Sequence, residues 1–278
     1  MNIEDQINNV SDSELGRVMK AALHEMLRRG FSEPTPEEDG ESARIRDCKF
    51  LRERSVPENI AVDATDPDRR STPVLAAVMM WKDVVYPKVL QALKDKTRMP
   101  SNAWPILFGP PGRGKSVAAA WLLLNVKSDG YNEYFPTWAQ ASEYVRIRPS
   151  NRDEDAARVR KIERSPFLVL DDIGREHVGG TAYASGAIGE LLSLRHSERR
   201  ITVLTANLPE EMMRQGLSGK TALIEGVLSR YDSVLASRVN EFGSLFEATG
   251  PDLRAMQDGV TNTARHSPPM RPGTRARR

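Results

Sequence analysis

The 278-residue chain carries a single cysteine, Cys48, so neither an internal disulfide framework nor a cysteine-rich zinc module is open to it. That scarcity favours a reducing, cytoplasmic setting. Long apolar runs are missing too: the longest, Val74 to Trp81 and Val117 to Leu124, are about eight residues each, under half of the roughly 20 that a membrane-spanning helix needs. No membrane partner is expected. The opening residues Met1-Asn2-Ile3-Glu4-Asp5 lack the basic start and apolar core of a secretory leader. Nor is there an excess of one charge: 40 Lys+Arg stand against 38 Asp+Glu, a formal net charge of +2. This argues against a protein that coats polyanions with a uniformly basic surface, while leaving room for a local basic patch.

What remains is the composition of a globular protein, 39% hydrophobic and 28% charged, long enough for one large domain with a small helical appendage. Residues 1–31 read as an amphipathic helical segment. Ser11 and Glu14 fit a capping box, Leu15, Val18, Met19, Ala22, Leu23, Met26 and Leu27 recur at spacings of three and four, and Gly30 is a stop. So short a helix needs a surface to pack on, either in its own chain or on a partner. Residues 32–70 read as a linker and short helix: Ser32 to Gly40 is acidic and proline-rich, a helix follows around Ala43 to Arg54, and Asp63 to Arg70 is expected to be a polar loop. Ser71 or Thr72 caps a further helix with Pro73 in its first turn, apolar residues through Leu93 and a possible kink at Pro87.

The pattern changes within residues 71–254. Short β-type runs, Pro105–Phe108, Tyr134–Thr137, Phe167–Leu170 and Ile201–Thr205, alternate with helical stretches at Lys115–Val126, Asp153–Arg164 and Ala184–His196. That alternation predicts an α/β fold of three layers, a central parallel sheet covered on both faces, preceded by the small helical segment. Residues 255–278 turn to proline, threonine and arginine, with five arginines against one aspartate for a net +4. A disordered basic tail is expected there, either solvated or adding DNA affinity through counterion release.

Gly109-Pro110-Pro111-Gly112-Arg113-Gly114-Lys115-Ser116 is a phosphate-binding loop pattern, entered from the apolar run Ile106-Leu107-Phe108 and leaving into a helix rich in alanine and leucine. Chance would produce the pattern in roughly one chain of this length in a hundred at ordinary glycine frequencies. The glycines let backbone N–H groups approach phosphate oxygens, and the following helix terminus adds a partial positive charge. Lys115 is placed to reach the β- and γ-phosphates of a nucleotide, and Ser116 to hold Mg²⁺. Phe167-Leu168-Val169-Leu170-Asp171-Asp172 reads as a central strand ending in two carboxylates. Asp171 would face the metal, directly or through water, and Asp172 would position or deprotonate the attacking water. Asn207, at the end of Ile201-Thr202-Val203-Leu204-Thr205-Ala206, would reach the γ-phosphate or the water if its strand lies beside that of Asp171; alone it reads equally as a helix cap. Arg238 lies in a predicted helix beyond, competing with Arg230 and Arg254 for a place in a neighbouring subunit's site; a salt bridge or a solvated face is the default for each.

These stretches, with Leu168-Val169-Leu170-Asp171-Asp172-Ile173-Gly174, Thr205-Ala206-Asn207-Leu208, Ser237-Arg238 and Gly250-Pro251-Asp252-Leu253-Arg254, resemble the helicase-loader ATPases of the DnaC and DnaI type and their IstB-type transposition relatives, a group within the AAA+ branch of P-loop NTPases. The resemblance runs from about Asp47 to Arg254. It implies ATP hydrolysis with Asn207 as the first sensor and Arg238 as a finger reaching the next subunit of a homo-oligomer. It further implies binding of single-stranded DNA and a replicative DNA helicase as partner, contacted through the amino-terminal region. The IstB-type alternative is a transposition helper acting on duplex DNA, and a third reading is a nucleotide-gated binding module with little hydrolysis.

Overall fold

The computed structural model describes residues 40–66, 72–126, 136–176, 181–208, 219–231, 233–250 and 252–253. The stripe of residues 15–27 and the tail from residue 255 lie outside them. The described elements run α1 (Gly40–Glu53), α2 (Glu58–Thr65), α3 (Pro73–Met80), a π-helical turn (Trp81–Val85), α4 (Tyr86–Lys94), β1 (Trp104–Gly109), α5 (Lys115–Asn125), β2 (Thr137–Gln140), α6 (Ala141–Ile147), α7 (Asp153–Arg164), β3 (Phe167–Ile173), α8 (Thr181–Ser197), β4 (Ile201–Asn207), α9 (Gly219–Gly226), a 3₁₀ turn (Leu228–Arg230), α10 (Ser233–Phe242) and β5 (Gly243–Glu247).

The strands form one sheet in the order β2-β3-β4-β1-β5, every pair parallel. Strands flanked on both sides and covered on both faces should be apolar throughout, and Ile106 to Phe108, Phe167 to Leu170, Val203 and Leu204 are all buried. This is the three-layer α/β arrangement expected from the alternating pattern. Helix α5 packs on β1, β3 and β4 on one side and on α1, α2 and α3 on the other. A helix so enclosed has no polar face to keep, which accounts for the apolar run at its core. The segment 40–65 contributes Cys48, Leu51, Val56, Ala61 and Ala64 to the same core.

Several expected boundaries move, for local reasons. The Asp63 to Arg70 loop is corrected at its start, because Asp63 to Thr65 finish α2, where Thr65 Oγ1 donates to the Ala61 and Val62 carbonyls. The described second strand is Thr137–Gln140, and of the expected Tyr134–Thr137 it contains Thr137, while Tyr134 and Phe135 lie outside the described residues: Pro136 has no N–H for the ladder, and Trp138 N–H donates to the Arg54 carbonyl at 3.1 Å. Of the two candidate caps, Thr72 accepts from Leu75 N–H at 3.2 Å. Pro87 is accommodated by the π turn, closed by Tyr86 N–H donating to Trp81 O, since a proline ring would collide with the carbonyl four residues back in a regular helix.

Candidate functional site

The polar residues predicted at strand ends meet at the carboxyl edge of the sheet, where ligands lie in open parallel α/β folds. Register makes the meeting possible: β4 lies between β3 and β1, with Leu170 opposite Leu204 and Gly109 opposite Asn207. The phosphate loop leaves β1 through Gly109, whose backbone φ of 137° belongs to glycine; a Cβ there would come 2.8 Å from the Ala248 carbonyl oxygen. Gly112, at φ 76°, is equally constrained, since its Cβ would fall 2.0 Å from Asp252 Oδ1. The carboxyl-terminal segment thus braces the loop: Leu253 N–H donates to Gly112 O at 2.9 Å, and Arg113 Nη1 donates to the Gly250 carbonyl.

Lys115 begins α5, and its buried ammonium donates to the carbonyls of Gly109 (3.0 Å) and Pro110 (2.5 Å) within its own loop. Ser116 Oγ donates to Asp171 Oδ1 at 2.8 Å, and Thr205 Oγ1 donates to the same oxygen at 2.6 Å. Asp171 is 4% exposed, and burial pushes its pKa above the ordinary carboxylate range, with the Asp172 charge adding; the two hydroxyl hydrogen bonds and Lys115 pull the other way. A hydroxyl and an adjacent carboxylate are hard oxygen donors of the kind Mg²⁺ takes, and a carboxylate that burial disfavours when ionised gains from a nearby cation. The residues present therefore fit the metal.

Asp172 interrupts the β3–β4 ladder. The register shifts between Leu170 and Ile173, and Asp172 stands in the left-handed region at φ 60°. Its N–H goes instead to Thr205 Oγ1 at 2.8 Å, and its Oδ1 accepts from Asn207 Nδ2 at 2.5 Å. A single residue thus leaves the pleat and turns toward the cleft. Left-handed backbone in a non-glycine residue is unfavourable by roughly 1–2 kcal/mol and clusters at functional sites.

A cleft of about 760 Å³ runs along this edge. Of the predicted site residues, Pro111, Gly112, Arg113, Gly114, Lys115, Ser116, Asp171, Asp172 and Asn207 line it. Gly109 and Pro110 stand behind it, in contact with Lys115. Arg238 is elsewhere: its Nη1 donates to the Ser193 carbonyl of α8 at 3.4 Å, so it is not brought to its own chain's cleft. The Arg230 side chain and Arg254 lie outside the described residues.

Some of the wall had no signal in the sequence. Asn59, Ile60, Val62 and Asp63 of α2 face the phosphate loop across the cleft, with Leu253 beside them and Gln140 and Arg175 at the strand ends. Arg175 Nε is 4.0 Å from Asp172 Oδ1. Thr205 was visible within the Thr-Ala-Asn stretch, but its two-sided role, accepting from Asp172 N–H and donating to Asp171, needed the register. The arrangement combines backbone donors and a lysine for phosphates, hard oxygens for a divalent cation, and a displaced carboxylate paired with an amide where a water could be held. Those are the parts of a phosphoryl-transfer site.

No family model matches the chain. It is similar to a protein of Sinorhizobium fredii described as an insertion sequence ATP-binding protein, 31% identical over 104 residues, which are 37% of this chain and 34% of that protein. The match thus spans about a third of the relative's length. Among solved structures it is similar to the DnaC helicase loader (18% identity, 60% of this chain and 91% of that chain, TM-score 0.43) and to AMPPCP-bound DnaA from Aquifex aeolicus (14% identity, 65% and 51%, TM-score 0.40). Among the described residues no helix is long and apolar enough to cross a membrane.

Proposed function

We infer that this chain belongs with the IstB/DnaC-like P-loop ATPases, binds ATP with Mg²⁺ and hydrolyses it as a switch on assembly with DNA and a client protein. The observation that carries the reading is the convergence of Lys115, Ser116, Asp171, Asp172 and Asn207 on one cleft from three adjacent strands. Loop N–H groups and Lys115 would hold the β- and γ-phosphates, which requires Lys115 to leave the carbonyls of its own loop. Ser116 and Asp171 would hold Mg²⁺, which neutralises phosphate charge when bound. Asp172 would orient and deprotonate the attacking water, with Asn207 fixing its carboxylate. Arg238 does not line its own cleft and would have to leave the Ser193 carbonyl to reach a neighbouring copy's site.

Two clients fit this switch. One is a replicative helicase loaded on single-stranded DNA, to which the motif set Asp-Asp-Ile-Gly and Thr-Ala-Asn-Leu points. The other is a transposase, with the protein as a helper on duplex DNA, and the similarity to an insertion sequence ATP-binding protein favours it. The experiment is ATP turnover of wild type and Lys115→Ala, alone and with single-stranded DNA, duplex DNA or a hexameric helicase. Turnover should fall by about 100-fold or more in the variant. Stimulation by single strands or helicase supports the loader, and stimulation by duplex alone supports the transposition helper. Nucleotide binding without turnover under every condition would replace the ATPase with a nucleotide-gated binding module.

A further inference from the structure

The exit of β3 is tied down at a second point, away from the cleft. Gly174 follows Asp172 by two residues and is left-handed at φ 88°, so close to α9's end that a Cβ would come 2.9 Å from Val227 Cγ1. Its N–H donates to the Tyr231 hydroxyl at 2.7 Å and to Glu176 Oε1 at 3.0 Å. The Tyr231 hydroxyl in turn donates to the Glu176 carboxylate, 2.8 Å from Oε1 and 2.9 Å from Oε2. Tyr231 is buried, closes the 3₁₀ turn by donating its N–H to Leu228 O at 3.0 Å, and stands just before α10, the helix that carries Arg238.

We propose that Tyr231 and Glu176 are positioning residues for ATP hydrolysis, fixing the backbone that aims Asp172 and tying it to α10. The proposal rests on the ATPase reading above. Asp172 has left the ladder, so the strand no longer sets its direction. Thr205 Oγ1 holds its N–H from one side, and the Tyr231–Glu176 pair holds Gly174 from the other. Phenylalanine would fill the same volume, so the hydroxyl is needed for the hydrogen bonds and not for packing. Because the hydroxyl belongs to the root of α10, a shift of that helix against a neighbouring copy would pull on the Gly174 peptide. Hydrolysis would then depend on how α10 is seated.

The test compares full-length wild type with Tyr231→Phe, Glu176→Ala and the double variant, measuring kcat and KM for ATP, affinity for a fluorescent ATP analogue, thermal midpoint, and amide exchange over residues 171–176. Each single variant should lose about tenfold in kcat, the scale of a misplaced reacting group, with KM and affinity within twofold. The double variant should lose more than either single one but less than the product of the two, since Gly174 N–H keeps one acceptor in each single variant and the two acceptors are bonded to each other. Tyr231→Phe should melt like wild type and exchange faster over residues 171–176. A kcat within twofold of wild type in Tyr231→Phe, multiplicative losses in the double variant, or a kcat loss matched by lost nucleotide affinity would overturn the proposal. A wild type that binds the analogue without turnover sinks the ATPase reading instead; exchange then decides the tie, with unchanged exchange in Tyr231→Phe overturning it and faster exchange upholding it.

Discussion

Two charged groups are buried at opposite ends of the same pair of strands. At the amino ends of β3 and β4, the Arg195 guanidinium is fully enclosed and donates to Thr202 Oγ1 (2.9 Å) and to the carbonyls of Ile162 (3.1 Å), Glu163 (3.3 Å), Ser165 (2.8 Å) and Ile201 (2.6 Å). At their carboxyl ends, Asp171 accepts from two hydroxyls, both on Oδ1, and faces a cleft. Burial disfavours the charged form of both: it pushes Arg195 well below its ordinary pKa, with the Arg200 charge adding, and raises Asp171. The difference lies in what answers the charge. Arg195 is met by backbone, including carbonyls of α7's last turn that no helical N–H reaches, so it caps that helix against the sheet. Asp171 is met by side chains that belong to the cleft wall. A buried charge answered by backbone is structural, whereas one answered by the cleft wall retains acceptor capacity for a ligand.

The largest effect should come from Arg195→Leu. Leucine fills part of the space but leaves the carbonyls of α7, Ser165 and Ile201 without the guanidinium. Each buried acceptor left unpaired is unfavourable by about 1–3 kcal/mol, and loss of a buried charged partner by about 3–5 kcal/mol. The thermal midpoint should fall by roughly 10 °C, while the folded fraction titrates with nucleotide as wild type does. Melting together with nucleotide titration checks both halves. A loss below about 1 kcal/mol would return Arg195 to the ordinary run of arginines.

Asp171→Asn should have the opposite sign. Because the folded-state pKa of Asp171 is raised, the folded chain binds its proton more readily than the unfolded chain does. The ionised carboxylate is therefore unfavourable to folding above that raised pKa, and the penalty disappears as pH falls through it toward the ordinary carboxylate range. Asparagine keeps an oxygen for Ser116 and Thr205 without the charge. At neutral pH and without metal, the variant should be more stable than wild type, and the advantage should shrink on mild acidification. ATP affinity should lose its dependence on Mg²⁺. A destabilised variant would mean that the hydroxyl hydrogen bonds outweigh burial and that the two ends of the sheet are alike.

The two ends were unequally legible in the sequence. Asp171 and Asp172 stand out because four apolar residues run into them, and the phosphate loop because glycine spacing, lysine and serine coincide between a strand and a helix. Arg195 gave no such sign: it is one basic residue near the end of α8, and its burial depends on the end of α7 and the approach to β3, 30 or more residues away, as well as on the nearby start of β4. Helix α2 was hidden for a related reason. Its eight residues carry too little periodicity to announce a helix, and it is held by Ala61 and Ala64 packed in the core beside α5. With it went one wall of the cleft. The left-handed turn at Asp172 depends on a hydroxyl from the neighbouring strand, so no local pattern encodes it. Sequence revealed chemistry carried by consecutive residues, and missed what strands and helices distant in the chain supply to one another.

The smallest effect should separate charge from burial. Arg98 Nη2 pairs with Glu241 Oε1 at 3.1 Å, joining the turn after α4 to α10, with side chains 84% and 44% exposed. Solvent screens such a pair, and ordering two long side chains opposes it, so exposed pairs contribute about 0.2–1 kcal/mol and often nothing measurable. Arg98→Ala should therefore change stability by less than about 0.5 kcal/mol, and added salt should erase what difference there is. Turnover should not change, because the pair touches neither the cleft nor the Tyr231–Glu176 tie. Urea denaturation at low and high salt is the measurement. A loss above about 1 kcal/mol at low salt would mean that α10 is seated by surface electrostatics, and the contrast between Arg195 and Asp171 could then no longer be drawn from burial alone.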